Sequence, residues 1–483
     1  MTGLAGVALA LGLLIWLAYR GLSVLLLAPA MALLAAAFSA GTPLMASYTQ
    51  VFMAAAGGFV IQFFPLFLLG AVFGRLMDDS GSAEAIAQGI VARLGAQRAI
   101  LAVVLACAVL TYGGVSLFVV AFAVYPIAAA LFRRADIPKR LVPATIALGA
   151  FTFTMTALPG TPAIQNAIPM PYFGTTPFAA PGLGVLAALA MFLLGQGWLD
   201  RQAARARRAG EGYGEHRDEI RRPDEAMREQ SSGEGFDRSA LPLEARAASL
   251  PPFALAIAPV ALVILLNYGF STHLIPALDT GYLAEALYGA TSVEAVRGIW
   301  AIIGSLTLAC LLLAVSGRHR IRSLQRSLDE GASASVMPIF NTASLVGFGA
   351  VIAALPAFES IRGFVDGLGA GNPLVSLAVS VNLLAGVTGS ASGGMSIALQ
   401  TLGADYMALA ASGALSPELL HRVTTVATGG LDALPHNGAV VTLLAICGLT
   451  HREAYRDIFM VAVLFPILAL VLMMLVATMF GTF

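Results

Sequence analysis

Long apolar segments alternate with short polar or arginine-containing segments along almost the whole chain. Because about 20 mostly apolar residues are enough for a helix to cross a bilayer, this pattern predicts an all-α polytopic membrane protein with about ten transmembrane helices. The predicted spans are residues 4–19, 22–40, 51–77, 141–170, 183–199, 253–268, 299–316, 333–355, 418–448 and 458–480.

Two further apolar segments are interrupted near their middle by glycines and hydroxyl residues. Residues 99–132 are broken by TYGGVS at 111–116, and residues 373–411 are broken by TGSASGGMS at 388–396. Arginines flank both ends of the first segment, and its arms are too short for two full spans. We therefore predict two re-entrant hairpins, each of which enters the membrane and returns to the same side.

Two of the predicted spans are broken helices. GGLDALPHNGA at residues 429–439 interrupts one, and TALPGTPA at residues 156–163 interrupts the other. Their Ala-Leu-Pro triplets begin at Ala157 and Ala433, 276 positions apart, and two other short matches recur in the same order at nearly this separation. This recurrence predicts an internal repeat. Because each repeat holds an odd number of crossings, the second must be inverted, as in carriers whose site lies near the membrane centre.

Lys and Arg collect in cytoplasmic loops and so orient the spans. They place the N-terminus and the C-terminus on the periplasmic side. The predicted organisation is a first repeat at residues 1–199, a mobile cytoplasmic linker at 200–250 and an inverted repeat at 251–483. Two external loops and two surface helices complete the prediction, the loops at residues 41–50 and 271–296 and the helices at residues 81–95 and 358–368.

Composition narrows the class of protein. Hydrophobic residues make up 58% of the chain and charged residues 11%, whereas soluble domains carry about 25% charged residues. The 27 basic and 27 acidic residues balance, which argues against a nucleic-acid partner and against a basic patch for anionic lipids. Cys107, Cys310 and Cys447 lie in apolar segments without CxxC spacing, so we expect neither disulfides nor a metal site. Residues 1–19 lack a basic start and a cleavage site, and we expect a retained span.

The four interruptions predict a site for a small hydroxycarboxylate anion. Each restarting helix presents unpaired N–H groups and about half a positive charge, so it can hold a carboxylate without Arg or Lys. Hydroxyl and amide side chains, Ser396 among them, would bind the substrate's hydroxyl groups. The alternative for any single glycine or serine is close helix packing. The candidate substrate-binding residues are Thr111, Gly113, Gly114, Ser116, Pro159, Gly160, Thr161, Gln165, Asn166, Thr388, Ser390, Ser392, Gly393, Gly394 and Asn437.

Asp432 and His436 occur in the second repeat only, where the first repeat has Thr156 and Gly160. A carboxylate in a low-dielectric site and a histidine both titrate in a range suited to proton coupling. The alternative is that both side chains cap exposed backbone at the break. For Tyr112 we favour a role as a plug of the hairpin tip over a role in the site.

At these residues the chain resembles the gluconate permease (GntP) family, in particular its 3-hydroxybutyrate permease-type members. The matching stretches are VTGSASGGMSIAL at 387–399 and TGGLDALPHNGAVVTLLAICGLTHREAYRDI at 428–458. The resemblance implies the ion transporter superfamily fold, in which a scaffold domain forms a homodimer and a transport domain makes an elevator-type movement coupled to H⁺. The family motif places these residues at the site: Ser390, Ser392, Gly393, Gly394, Asp432, His436 and Asn437.

The favoured function is proton symport of a short hydroxycarboxylate, such as 3-hydroxybutyrate or gluconate, across the bacterial inner membrane, with no enzyme activity and no cofactor. Sodium coupling is the first alternative. An intramembrane serine hydrolase is another, and it needs Ser390 or Ser392 within hydrogen-bond reach of His436. A channel would need an open pore or a ring of charges, which the sequence lacks.

Overall fold

The computed structural model describes residues 2–20, 22–216, 218, 249–360, 363, 367 and 372–483. Their regular structure is helical throughout, with no strand in these ranges. The helices, in chain order, are α1 Thr2–Tyr19, α2 Val24–Ala37, α3 Leu44–Asp79, α4 Ser82–Leu94, α5 Ala99–Tyr112, α6 Leu117–Arg134, α7 Leu141–Ala150, α8 Phe153–Thr156, α9 Ile164–Ala167, α10 Pro169–Phe173, α11 Pro181–Arg208, α12 Phe253–Ala277, α13 Val293–Ser316, α14 Leu324–Ala354, α15 Pro373–Thr388, α16 Ala391–Ala411, α17 Pro417–Thr428, α18 Gly438–Cys447 and α19 His451–Phe480.

Seven of the described helices are long and apolar enough to cross a membrane, and two bent pairs raise this number to as many as nine. The prediction of a polytopic helical membrane protein is therefore confirmed. One bent pair is the broken span of α17 and α18, which turns by 55°. The other joins α4 to the helix containing α5 at 103°, so the predicted surface helix runs almost perpendicular to the hairpin arm that follows it.

Several helices extend past their predicted ends. α3 begins at Leu44, inside the predicted external loop 41–50, and α12 continues to Ala277, inside the loop 271–296. α11 continues to Arg208, into the predicted linker. The reason is that charges mark where the apolar layer ends, whereas a helix stops only where the backbone is interrupted, as at Pro43 before α3.

Each of the two interrupted segments forms a pair of packed helices joined by a short turn. α6, with 18 residues, is long and apolar enough to span a membrane by itself, so it is longer than the short re-entrant arm that was predicted. α5 and α6 are joined at residues 113–116, where Gly114 has φ +93°, and α15 and α16 are joined at Gly389 and Ser390, where Gly389 has φ +62°. Glycine adopts this left-handed backbone without steric cost. The second interruption is shorter than the predicted 388–396, because Ser390 accepts a hydrogen bond from Gly393 N and caps α16 at its first turn.

The described start of the predicted linker is bound to the helices. Glu211 pairs with Arg140 at 2.7 Å, and Tyr213 N donates to Asp136 at 3.0 Å. The Arg140 guanidinium lowers the pKa of the Glu211 carboxyl by this hydrogen bond. Asp218 pairs at 3.2 Å with Lys139, whose side chain is buried. Residues 219–248, and most of the predicted surface helix 358–368, lie outside the described residues.

α3 and α14 pack closely and are joined by buried charges. Arg75 lies 2.8 Å from Asp79 and 2.7 Å from Glu330, and Ser327 Oγ donates to Asp79 at 2.6 Å. Gly331 makes this approach possible, since a Cβ there would lie 2.9 Å from Cα of Val72.

We expect Arg75→Gln to lower the free energy of unfolding by about 3 kcal/mol, because it leaves the buried Asp79 and the partly buried Glu330 without their cation. Thermal unfolding of the purified protein in detergent measures this. Arg326→Gln is the matched control, since Arg326 also pairs with Glu330 at 2.7 Å but is mostly exposed; it should cost less than about 1 kcal/mol. Equal losses for the two variants would show that the buried pair has no special role.

Candidate functional site

The first break, residues 157–163, is held by side chains from other elements. Tyr112 OH donates to Pro159 O at 2.7 Å, as expected for a plug of the hairpin tip. Asn267 Nδ2 donates to Gly160 O at 3.1 Å, and Thr161 Oγ1 accepts from Ala163 N at 3.3 Å. Since a bilayer provides no water for exposed backbone groups, these bonds stabilise the interrupted helix.

The second break, residues 429–437, is bonded to the tip of the second hairpin. Asn437 Oδ1 accepts from Ala439 N at 2.7 Å and so caps α18, while its Nδ2 donates to Gly389 O at 2.7 Å. His436 Nε2 lies 2.9 Å from Gly386 O. A carbonyl oxygen can only accept, so Nε2 carries a proton.

A cavity of about 90 Å³ lies between the first hairpin, the first break and the facing helices α3 and α14. One water needs about 10–15 Å³ on this measure, so the cavity has room for several water-sized groups. Its polar lining includes Thr111, Ser116 and Gln165. The Thr111 side chain is 3% exposed, and its Oγ1 has no hydrogen-bond partner among the described residues. A buried hydroxyl without a partner is costly and indicates a place for a ligand or water.

Gln165 connects this cavity to a smaller one at the second break. The second cavity, of about 10 Å³, is lined by Gln165 together with Asp432, Asn437 and the start of α16 at Ala391. Leu117 and Met155 also line both cavities. Residues from both predicted repeats therefore meet around the buried amide of Gln165.

Several other candidate residues make close packing contacts or hydrogen bonds with neighbouring residues. A Cβ on Gly394 would lie 2.2 Å from Ala385 N, one on Gly393 would lie 2.3 Å from Leu345, and one on Gly113 would lie 2.4 Å from Val260. Thr388 Oγ1 donates within its own hairpin to Leu384 O at 2.8 Å. Gly394 and Thr388 hold the second hairpin together, whereas Gly393 and Gly113 let the hairpin tips pack against α14 and α12. None of the four lines either cavity.

The serines of the second hairpin bond to each other and to the main chain. Ser390 Oγ lies 3.3 Å from Ser392 Oγ and 3.1 Å from Gly393 N. His436, the predicted base of the hydrolase alternative, uses Nε2 for the Gly386 carbonyl. This geometry serves the structure of the hairpin tip.

The four predicted helix starts are unequal. α6 and α16 have 18 and 21 residues and α18 has 10, whereas α9 has only four. The backbone stays helical at Ile168, so α9 continues into α10. The starts of α6 and α9 both border the larger cavity, through Ser116 and Leu117 and through Ala163 and Ile164.

Sequence reasoning missed Arg422. This side chain of α17 is 0% exposed and donates to Ala179 O at 2.6 Å and to Ala157 O at 3.2 Å. Its described hydrogen-bond partners are all neutral oxygens, including Asn166 Oδ1 at 3.4 Å. An arginine of the second half thus holds the main chain of the first break. Asn166 contacts this arginine, and we therefore assign Asn166 a positioning role. An Arg inside an apolar span was the available signal.

His421 completes this arrangement. Its Nε2 lies 3.1 Å from Asn166 Oδ1, and its Nδ1 lies 2.6 Å from Thr175 Oγ1. The amide oxygen can only accept, so Nε2 carries a proton, and Nδ1 pairs with the threonine hydroxyl.

A bundle of membrane-spanning helices, broken around a cavity that has a few polar groups in its lining, defines an integral membrane protein with a candidate internal site. The chain is 42% identical over 470 residues to "Uncharacterized transporter YxjC" of Bacillus subtilis, and the match covers 95% of each chain. The chain belongs to the same family of membrane transporters. A second relative, "Uncharacterized transporter" of Haemophilus influenzae, is 40% identical over 75 residues, which are 16% of this chain and 18% of that protein. No family model matches the chain. Relatives named as transporters fit a carrier rather than an enzyme.

We expect Arg422→Met to lower the free energy of unfolding by about 3 kcal/mol, since buried carbonyls at Ala157 and Ala179 lose a charged donor. Chemical unfolding in detergent measures the loss. Arg452→Met is the control, because Arg452 is exposed and its substitution should change stability by less than about 0.5 kcal/mol. An unchanged midpoint for Arg422→Met would mean that this arginine does not hold the break.

Proposed function

We propose that this transporter is a secondary carrier for proton-coupled symport of a short hydroxycarboxylate, and that it is a member of the gluconate permease family. The observation that carries the proposal is the cavity in which the buried Thr111 hydroxyl has no partner among the described residues. Such a cavity, at the meeting point of a hairpin tip and a broken helix, is where a carrier of this architecture binds its substrate.

The lining of the cavity supports a small anion with a hydroxyl group. It contains hydroxyls, an amide and the start of α6, and neither Arg nor Lys is among the residues around it. A carboxylate binds favourably at the positive end of a helix. The Thr111 hydroxyl and the Gln165 amide then bind the substrate's hydroxyl. The small volume favours a short acid such as 3-hydroxybutyrate over gluconate.

Asp432 is the candidate proton carrier. It lines the second cavity, with Gln165 between it and the substrate cavity. The proposed role of Asp432 is to carry the coupling proton beside the substrate cavity. His436 is bonded to the hairpin backbone, and its proposed part is to hold the break while Asp432 exchanges the proton.

The proposed movement is of the elevator type within an inverted repeat. Both halves have the same order of elements: a long span, a hairpin, a broken helix and a final span. One wall of the cavity consists of α3 and α14, which are locked together by Arg75, Asp79 and Glu330. The other wall consists of the first hairpin and the first break. Sliding of the second wall along the first would move the substrate across the bacterial inner membrane. In a homodimer, α3 and α14 of the two subunits would form the fixed support.

Uptake into proteoliposomes tests the function. Radiolabelled 3-hydroxybutyrate and gluconate are supplied under an imposed pH gradient, with and without sodium. We expect uphill accumulation of 3-hydroxybutyrate that follows the pH gradient. Accumulation that requires sodium would replace the coupling ion, and no accumulation of either acid by correctly inserted protein would overturn the substrate class.

Asp432→Asn should abolish uphill uptake and preserve counterflow exchange, because the variant binds substrate but cannot carry the coupling proton. Both rates are measured in the same proteoliposomes. Asp405→Asn is the control, since Asp405 is exposed on α16, and it should retain both activities. Normal uphill uptake by Asp432→Asn would refute the coupling role.

Thr111→Val should raise the apparent KM for substrate about fivefold, which corresponds to one lost hydrogen bond of about 1 kcal/mol. Thermal stability should be unchanged or higher, because the substitution removes a buried hydroxyl that lacks a partner. Thr307→Val is the control: Thr307 is exposed and donates to Ile303 O. A loss of stability without a change in KM would assign Thr111 to packing.

A further inference from the structure

A third cavity, of about 450 Å³, lies between the start of the first hairpin and the end of α11. Arg98 and Gln97 line it from the hairpin side, and Asp200 and Arg207 line it from α11. It shares no residue with the two cavities of the transport site. We call it the α5–α11 cleft.

The α5–α11 cleft has a net positive lining. Arg98 and Arg207 are exposed, and neither forms an ion pair with another residue in the part of the chain that the structure describes. The acid in the lining, Asp200, accepts a hydrogen bond from Gln196 Nε2 at 3.0 Å. The two arginines therefore remain available to an anion. The net charge of the whole chain is zero, so it gave no indication of these two neighbouring arginines.

The rest of the lining is aliphatic. It consists of Ala99, Ile100, Leu101, Ile137, Ala203 and Ala204. A free inorganic anion would make no favourable contact with such an aliphatic surface. An occupant that joins a single negative charge to hydrocarbon matches both parts of the cleft.

The cleft lies at the level where the membrane layer ends. α11 carries no charged residue from Pro181 to Trp198, and its first charge is Asp200. Trp198 Nε1 donates to Asp457 at 2.9 Å, and tryptophan is typical of the membrane–water interface. The bend of 103° between α4 and the helix containing Arg98 is also typical of a helix that leaves the interface to enter the bilayer.

We propose that the α5–α11 cleft binds the phosphodiester headgroup of an anionic glycerophospholipid between Arg98 and Arg207, with an acyl chain against the aliphatic lining. Basic pockets between membrane helices bind such headgroups. The bound lipid would tie the first hairpin to α11, two elements that also frame the first break. This site is independent of the identity of the transported substrate.

Native mass spectrometry and thermal unfolding of the delipidated full-length protein in neutral detergent test the proposal. Phosphatidylglycerol should remain bound and raise the Tm, whereas phosphatidylcholine and inorganic phosphate should do neither. The double variant Arg98→Gln/Arg207→Gln should bind phosphatidylglycerol about 25-fold more weakly, at about fivefold for each arginine. Its Tm without added lipid should equal that of the wild type, because both side chains are exposed.

The matched control is Arg201→Gln/Arg205→Gln, which removes the same number of charges, both from α11 and outside the cleft. It should keep the affinity of the wild type. Equal weakening in the control would show diffuse charge attraction, equal binding of phosphatidylcholine would show an acyl-chain contact alone, and a Tm increase with inorganic phosphate would show a site for a free anion. Each of these results would overturn the proposal.

Discussion

The structure depends on satisfying the main chain where two membrane helices are broken. A helix interior supplies its own backbone hydrogen bonds, but the residues of each break cannot, and the lipid provides no substitute. The carbonyls of Pro159 and Gly160 accept hydrogen bonds from Tyr112 and Asn267. The carbonyl of Gly389, at the tip of the second hairpin, accepts one from Asn437 of the second break. All three donors come from distant parts of the chain. The breaks can therefore persist only in the assembled protein, and they fix the hairpins relative to them.

This constraint explains why so many polar side chains near the breaks are not available to a substrate. In both Asn166 and Asn437, the side-chain oxygen and nitrogen are hydrogen-bonded to other protein groups. The Arg422 cation is bound to neutral carbonyls, which leaves a buried positive charge behind the first break. Fewer polar side chains line the cavity of about 90 Å³ at the first break, chiefly those of Thr111, Ser116 and Gln165. Selectivity for a small anion would arise from this short polar lining and the helix start beside it.

Charged contacts join helices that lie far apart in the sequence at two places. Arg75, Asp79 and Glu330 connect α3 to α14, and Arg140 and Asp457 join the loop before α7 to α19. The described start of the segment after α11 adds Glu211 to the second set. Both sets lie at helix ends, whereas the cavity at the first break is lined mainly by apolar and small residues.

The interruptions of the helices could be predicted because their causes are local. Glycine, proline and hydroxyl residues at 113–116, 157–163 and 429–437 prevent a regular helix whatever surrounds them, and the breaks are found there. Helix ends were less predictable, since the charges that mark the membrane surface do not stop a helix such as α11. The roles of individual site residues depended on the tertiary structure. Gly394 packs against Ala385, and Arg422 reaches carbonyls 243 and 265 positions away. The sequence by itself determined the membrane-spanning class, the hairpins and the breaks, because apolar length and backbone freedom are local properties. Only the tertiary structure decided which polar groups face a cavity, because that depends on partners brought together by folding.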